Sequence, residues 1–121
     1  MGKFLVKKTA TGIKFDLKAS NGQVIGTSEV FTTKKSCLAS IASVKKNAPI
    51  AKIEDQTVEG FKKVTNPKFV IYTDKKGETR FKLQAKNGQN ILASGEGFTT
   101  KKAAENGVKS VVKNADSPIT E

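Results

Sequence analysis

One stretch of this 121-residue sequence occurs twice. The segment NGQVIGTSEVFTTKK, which spans Asn21 to Lys35, returns as NGQNILASGEGFTTKK between Asn87 and Lys102, with Gly95 as an inserted residue. A repeat of this length predicts one supersecondary unit that is present in two copies. Because about 50 residues lie near the lower limit for a self-sufficient core, we expect both copies to share one core. We predict a single domain, 1–121, that consists of repeat one (1–55), a connector (56–68) and repeat two (69–121).

Period-two patterns predict three strands at the start of each repeat. Apolar residues alternate with polar ones around Phe15 and around Phe81, which is typical of strands with one buried and one solvated face. Asn21-Gly22 and Asn87-Gly88 are strong hairpin signals, because both residue types tolerate positive φ. The predicted strands are Phe4–Lys7, Ile13–Ala19 and Gln23–Glu29 in repeat one and Phe69–Tyr72, Thr79–Ala85 and Gln89–Ser94 in repeat two.

A helix follows the third strand in each copy. A threonine can cap each helix by accepting a backbone N–H, and the regular spacing of the apolar residues after it predicts a stripe that packs on the sheet. Both helices end in Lys-Asn-Ala, where Asn47 and Asn114 are predicted to stop the helix in the left-handed conformation. The residues predicted to be buried are Phe15, Leu17, Ile41, Val44, Phe81, Leu83, Val108 and Val111.

Together these motifs resemble the YegP-like family of small bacterial and archaeal proteins of uncharacterised function. The shared pattern is Phe-x-Leu-x-Ala, then Asn-Gly, Ile, Ser-Glu and an aromatic residue, then a helix that carries Ser43-Val44 or Ser110-Val111 before Asn-Ala. The resemblance implies an α+β fold of two tandem β-β-β-α-β repeats, in which the last strand of each repeat is exchanged into the other. All strands would form one continuous, mostly antiparallel sheet with both helices on one face. Ala51–Asp55 matches the first exchanged strand, and the second would lie within Ser117–Glu121.

The composition disfavours an enzyme. The sequence contains no histidine, one cysteine and neither the Gly-x-Gly-x-x-Gly nor the phosphate-loop pattern, so it lacks the commonest general base, paired zinc thiolates and a nucleotide loop. The family resemblance brings no catalytic residues with it. We therefore predict a monomeric, non-catalytic binding or structural module with no cofactor and no metal. One cysteine fits a reducing compartment, and no window approaches the ~20 apolar residues of a membrane span, so a cytoplasmic location is expected.

The net charge of +11 raises an alternative, which is a weak, electrostatically driven binder of nucleic acid or another polyanion. Arg80 is the single arginine, and lysine attracts phosphates without the bidentate base contacts that arginine makes. A solvated basic surface without a partner is the other interpretation. One candidate surface is the sheet face that points away from the helices, where Tyr72 could stack on a base. The residues expected there are Lys14, Lys18, Tyr72, Arg80 and Lys82.

The first turn of each helix is a second candidate surface. Both turns begin with two lysines, although the helix macrodipole favours acids at this end. Free backbone N–H groups, hydroxyls and ammonium groups would converge there, which predicts two equivalent phosphate or sulfate sites. The alternative is that these lysines are simply exposed. The predicted sites comprise Thr32, Thr33, Lys34 and Lys35 in repeat one and Thr99, Thr100, Lys101 and Lys102 in repeat two.

The remaining polar candidates have structural interpretations. Cys37 lies on the apolar stripe of the first helix, so we predict a buried thiol and not a nucleophile. Glu29 and Glu96 recur in both copies, and we expect them to accept hydrogen bonds at the strand-to-helix junctions instead of acting as acids. Glu54 and Asp55 lie beside the connector and are predicted to be surface charges.

Overall fold

The chain forms one eight-stranded sheet and two helices. The structure is a computed structural model that describes residues 2–95 and 97–121. The elements are β1 (Lys3–Lys8), β2 (Ile13–Lys18), β3 (Val24–Thr27), α1 (Lys34–Asn47), β4 (Lys52–Asp55), β5 (Lys68–Thr73), β6 (Thr79–Gln84), β7 (Asn90–Ala93), α2 (Lys101–Asn114) and β8 (Ile119–Thr120). A short 3₁₀ turn, Ala48–Ile50, leads from α1 into β4. The α+β class and the order of elements in each repeat are as predicted, although the third strands are shorter.

The last strand of each repeat leaves its own unit. The strand order is β4-β5-β6-β7-β3-β2-β1-β8. Strand β4 pairs in parallel with β5, the first strand of repeat two, and β8 pairs in parallel with β1. The other pairings between these strands are antiparallel. The strand exchange that the family resemblance implied is therefore confirmed.

Both helices pack on one face of the sheet, and the hydrophobic core lies between the helices and the sheet. The residues predicted to be buried are all at most 2% exposed. Each repeat contributes an edge-to-face aromatic pair, with ring centroids 5.8 Å apart for Phe4 and Phe15 and 6.4 Å apart for Phe69 and Phe81. Neither helix among the described residues combines the length and apolarity that crossing a membrane requires.

The two repeats meet at the centre of the sheet, where β3 lies beside β7. Gly26 and Leu92 occupy equivalent positions in the two copies, and the Leu92 side chain lies beside Gly26 at this seam. A Cβ on Gly26 would lie 2.8 Å from Leu92 Cδ2, which is closer than van der Waals contact allows. The Leu92 side chain therefore fills the space that a side chain at Gly26 would need.

The N-terminal caps of both helices are as predicted, but the C-terminal ends are not. Thr33 and Thr100 cap the helices by accepting the backbone N–H of the third following residue. The left-handed asparagine stop was wrong, because none of the described non-glycine residues has positive φ. Asn47 and Asn114 instead donate from Nδ2 to the carbonyl four residues earlier, at 2.8 Å in both helices. Each asparagine side chain thereby adds a hydrogen bond to a carbonyl near the end of its own helix.

Candidate polyanion interface

The face of the sheet that points away from the helices, here called the open face, carries basic residues from both repeats. Since Phe15 and Leu17 pack under the helices, their neighbours along β2 project to the open face. The strand register extends this face from β1 across the seam to β5. It holds the predicted residues Lys14, Lys18, Tyr72, Arg80 and Lys82. Its other basic residues are Lys3, Lys7, Lys52 and Lys68, and the acids near them are Asp16, Glu54 and Asp74.

Asp16 organises the repeat-one half of the open face. Its carboxylate lies 2.6 Å from Lys7 Nζ and 3.6 Å from Lys14 Nζ, and it accepts a 2.7 Å hydrogen bond from Thr27. Burial raises the pKa of Asp16, but the hydrogen bonds from Lys7 and Thr27 and the charge of Lys14 outweigh burial and hold the pKa below its ordinary value. One ionised carboxylate is therefore shared by two lysines, and the cluster keeps a positive charge.

A second cluster lies in repeat two around Tyr72. Arg80 is the cross-strand neighbour of Tyr72, and its Nε donates to Asp74 Oδ2 at 2.7 Å. This hydrogen bond holds the pKa of Asp74 below its ordinary value and raises the pKa of Arg80. Lys82 Nζ lies 5.3 Å from the centroid of the Tyr72 ring, within cation–π distance. An arginine, a lysine and an aromatic ring thus share one patch, as the alternation of β6 predicted.

The connector covers the β4 end of the open face, and there the sequence interpretation was wrong. Glu54 was predicted to be a surface charge, yet it is 1% exposed. Its carboxylate accepts hydrogen bonds from Lys68 Nζ at 2.9 Å, from Gln56 Nε2 at 2.6 Å and from the Val64 N–H at 2.9 Å. The Lys68 and Gln56 bonds outweigh burial and lower its pKa to about 2. The carboxylate ties the connector to the sheet because it bonds groups from both.

The lysines at the helix N-termini have acidic partners that the sequence interpretation missed. Lys34 pairs with Glu121 and Lys101 pairs with Asp55, so each helix of one repeat is joined to the end of the exchanged strand from the other. Burial raises the pKa of Asp55, but the hydrogen bonds from Lys101 and Thr57 outweigh it and lower the pKa. These pairs place carboxylates near the positive helix ends, where the dipole favours them. The sequence does place an acid at the end of each exchanged strand, Asp55 and Glu121, and these acids could have indicated the ion pairs.

The pairs lead to a prediction about two adjacent lysines. Lys34→Glu places a carboxylate beside Glu121 and is expected to lower the melting temperature, whereas Lys35→Glu adds an acid to the first turn and is expected to raise it slightly. Both variants change the net charge equally, so their difference isolates the local pair. Thermal unfolding followed by circular dichroism at low salt measures this difference. Melting temperatures that change in the same direction and by the same amount would contradict the pairing.

Two grooves occupy equivalent positions between the repeats, and no sequence motif had pointed to them. One, of about 230 Å³, lies between Gln23–Ile25 of repeat one and α2. The other, of about 380 Å³, lies between Gln89–Ile91 of repeat two and α1. Within the described part of the chain, hydroxyl, amide and aromatic groups line both grooves without a lysine or arginine. The recurring Asn-Gly-Gln was the signal that could have indicated them.

Of the remaining candidates, Cys37 is fully buried, as predicted for a structural thiol, and burial raises its pKa. Glu29 is exposed beside the second groove, and its backbone carbonyl accepts a hydrogen bond from Ser28 Oγ at 2.8 Å. Glu96 lies outside the described residues.

Comparison with known proteins agrees with the two-repeat architecture. Residues 9–55 and 74–121 match the family described as domain of unknown function DUF1508. A UPF0339 protein of Bordetella pertussis is 37% identical over 119 residues, which cover 98% of this chain and 93% of that protein. The UPF0339 protein YegP of Yersinia pestis is 33% identical over 120 residues, with the same coverage.

A solved structure supports the fold as well as the family. The solution NMR structure of YegP from E. coli, a protein of unknown function, aligns with a TM-score of 0.78 at 30% identity and covers 98% of this chain and 90% of that chain. The resemblance to YegP-like proteins that the motifs indicated is thereby confirmed. This chain belongs to the UPF0339 family of two-repeat proteins, whose function is uncharacterised.

Proposed function

We propose that this chain is a non-catalytic binding module whose open face binds polyanions, with single-stranded nucleic acid as the ligand class. The observation that carries the proposal is the strand register, which aligns basic residues of both repeats on one face beside an aromatic ring. Phosphates attract such a surface mainly through the release of counterions, and an aromatic ring adds base stacking that tolerates any sequence.

The charge balance of the open face favours phosphate binding. Lys18 and Lys82 form no ion pair with any acid of the described residues, and Asp16 neutralises only part of the charge of its two lysines. The helix N-termini are weaker candidates, since a phosphate there would compete with Asp55 and Glu121 for the lysines. Because lysine dominates the open face, we expect binding without sequence preference.

The acids of the open face support a role without catalysis. A general acid or base works best with a pKa near the operating pH. The pKa values of Asp16, Glu54 and Asp74 are instead lowered, because each carboxylate is bound to a lysine or an arginine. These carboxylates therefore stay ionised and hold cations in place.

Salt-dependent affinity for a fluorescein-labelled oligothymidylate tests the proposal. The logarithm of the affinity should fall linearly with the logarithm of the salt concentration, with a slope of about −0.7 for each phosphate contacted. Lys18→Gln should reduce the steepness of this slope by about 0.7. Tyr72→Ala should leave the slope unchanged and weaken binding by about 1–3 kcal/mol, because stacking releases no counterions.

The matched control is Lys46→Gln, which removes the same charge from an exposed position on α1, on the other side of the sheet. Its affinity and slope should equal those of the unmodified chain. Absence of binding at low salt would overturn the proposal, and so would equal effects of Lys18→Gln and Lys46→Gln, since the net charge alone would then explain the attraction.

A further inference from the structure

The β4 edge of the sheet carries an apolar groove that the open face does not include. The groove has a volume of about 270 Å³ and lies between β4 and α2. Its apolar lining consists of Ala51, Ile53, Phe69, Val108 and Val112. Lys109 and Lys113 stand at its α2 side. The groove thus combines an apolar lining with two lysines at its side, and neither the core nor the open face accounts for this combination.

The groove adjoins exposed apolar side chains and unpaired backbone. Ile53 is 51% exposed and Val112 is 40% exposed. Strand β4 is the outermost strand. The N–H groups of Lys52 and of Gln56, the residue after β4, donate to the carbonyls of Pro67, just before β5, and of Ile71 in β5. Because alternate residues of a strand bond on opposite sides, the backbone groups of Ile53 and Asp55 point away from β5. An edge of this kind is a template for an additional strand.

At the opposite edge of the sheet, a lysine side chain covers the position that is equivalent to the groove. The counterpart of Val112 on α1 is Lys45, whose Nζ donates to the Ser117 carbonyl at 2.7 Å and lies 5.5 Å from the centroid of the Phe4 ring. Phe4 is in turn the counterpart of Phe69, which lines the groove. The lysine therefore covers in repeat one what valine leaves open in repeat two, so the groove is a property of this edge and not of the repeat.

We propose that the β4 edge and its groove dock an extended segment of a partner protein in which apolar residues alternate with acidic ones. Its backbone would pair with Ile53 and Asp55, and alternate apolar side chains would fill the groove. Because successive side chains of a strand point to opposite faces, its acids would lie on the side of the open face, where Lys52 of β4 is exposed. A second copy of this chain fits less well, because joining two β4 edges would bring like charges together in a chain with a net charge of +11.

The test uses the full chain and the peptide acetyl-Glu-Val-Glu-Val-Glu-Val-amide, followed by NMR of the backbone amides. We expect shifts at Ile53, Asp55 and Val112. Val112→Lys, which installs the residue found at the equivalent position of α1, should weaken binding at least about tenfold, the equivalent of about 1.4 kcal/mol. Ala42→Lys adds the same charge to an exposed position of α1 and should leave the affinity unchanged. The amide spectra of both variants report whether the fold is retained.

Three results would overturn the docking proposal. The first is equal affinity of the Val112→Lys variant and the unmodified chain. The second is equal binding of a peptide in which serine replaces each valine, because charge alone would then explain the attraction. The third is a dimer in sedimentation experiments without peptide that Val112→Lys abolishes, because a second copy would then occupy the edge.

Discussion

Glu54→Gln is expected to lower the free energy of unfolding at pH 7 by about 3 kcal/mol. The carboxylate is buried and accepts hydrogen bonds from Lys68, Gln56 and the Val64 N–H, so its loss leaves the Lys68 ammonium group without a counter-charge. Removing one partner of a buried pair costs far more than a surface pair contributes. In a domain of this size, such a loss is a large part of the total stability.

The same carboxylate predicts a pH dependence of stability. Its pKa is about 2 in the folded chain against an ordinary 4.5, so the unfolded state binds more protons between these values. The stabilisation is therefore complete above about pH 5 and is lost as the pH falls toward 2. In the Glu54→Gln variant this part of the acid dependence should be missing. Urea unfolding between pH 2 and pH 7 measures it.

Two controls separate the buried pair from a general effect of charge. Glu59→Gln removes an exposed acid of the same connector and should change the stability by less than about 0.5 kcal/mol. Adding Lys68→Met to Glu54→Gln should recover part of the loss, because no unpaired ammonium group remains. Equal stability of Glu54→Gln and the unmodified chain at pH 7 would show that the carboxylate does not hold the connector.

The second large effect is expected from dividing the chain. Residues 1–55 contain β1 to β4 and α1, but β4 pairs with β5 and β1 pairs with β8, both of which lie in the missing half. The fragment therefore lacks partners at both outer strands and should be disordered at low concentration. At high concentration it should dimerise, because β4 of one fragment can take the place of β8 beside β1 of another.

Sedimentation and amide NMR of the fragment distinguish these outcomes. We expect the well-dispersed spectrum to appear only in the concentration range where the dimer is populated. A monomeric fragment with a dispersed spectrum would contradict the shared core. The complementary fragment, residues 56–121, which keeps the connector and Lys68, should restore a folded heterodimer when the two are mixed, since both exchanged strands then find their partners.

The sequence predicts the parts of this fold that depend on local patterns. The alternation around Phe15 and Phe81 predicted the second strand of each repeat, and the stripe through Ile41 and Val108 predicted the helix faces. The strand exchange came from the family resemblance, because pairing partners far apart in the chain leave no periodic signal. The basic residues of the open face could be predicted for the same reason as the core residues, because both sets follow from the alternation along β2 and β6.

The parts that could not be predicted depend on long-range contacts. Glu54 is polar and lies beside a polar connector, so its burial depends on how the connector folds back to present the Val64 N–H. The pairs of Lys34 and Lys101 join residues that are far apart in sequence. The apolar groove depends on differences between the copies, among them Val112 in place of Lys45, and the comparison of the repeats had looked only for residues that they share.

Binding of a polyanion to the open face is tested most directly by mapping amide shifts as oligothymidylate is added to the isotope-labelled full chain at low salt. We expect the shifting amides to cluster at Lys14, Lys18, Tyr72, Arg80 and Lys82, and the shifts to shrink as salt is added. The amides of α1 and α2 that face away from the sheet should not move. Shifts confined to the helices, or no shifts at all, would contradict the assignment of the open face as the binding surface.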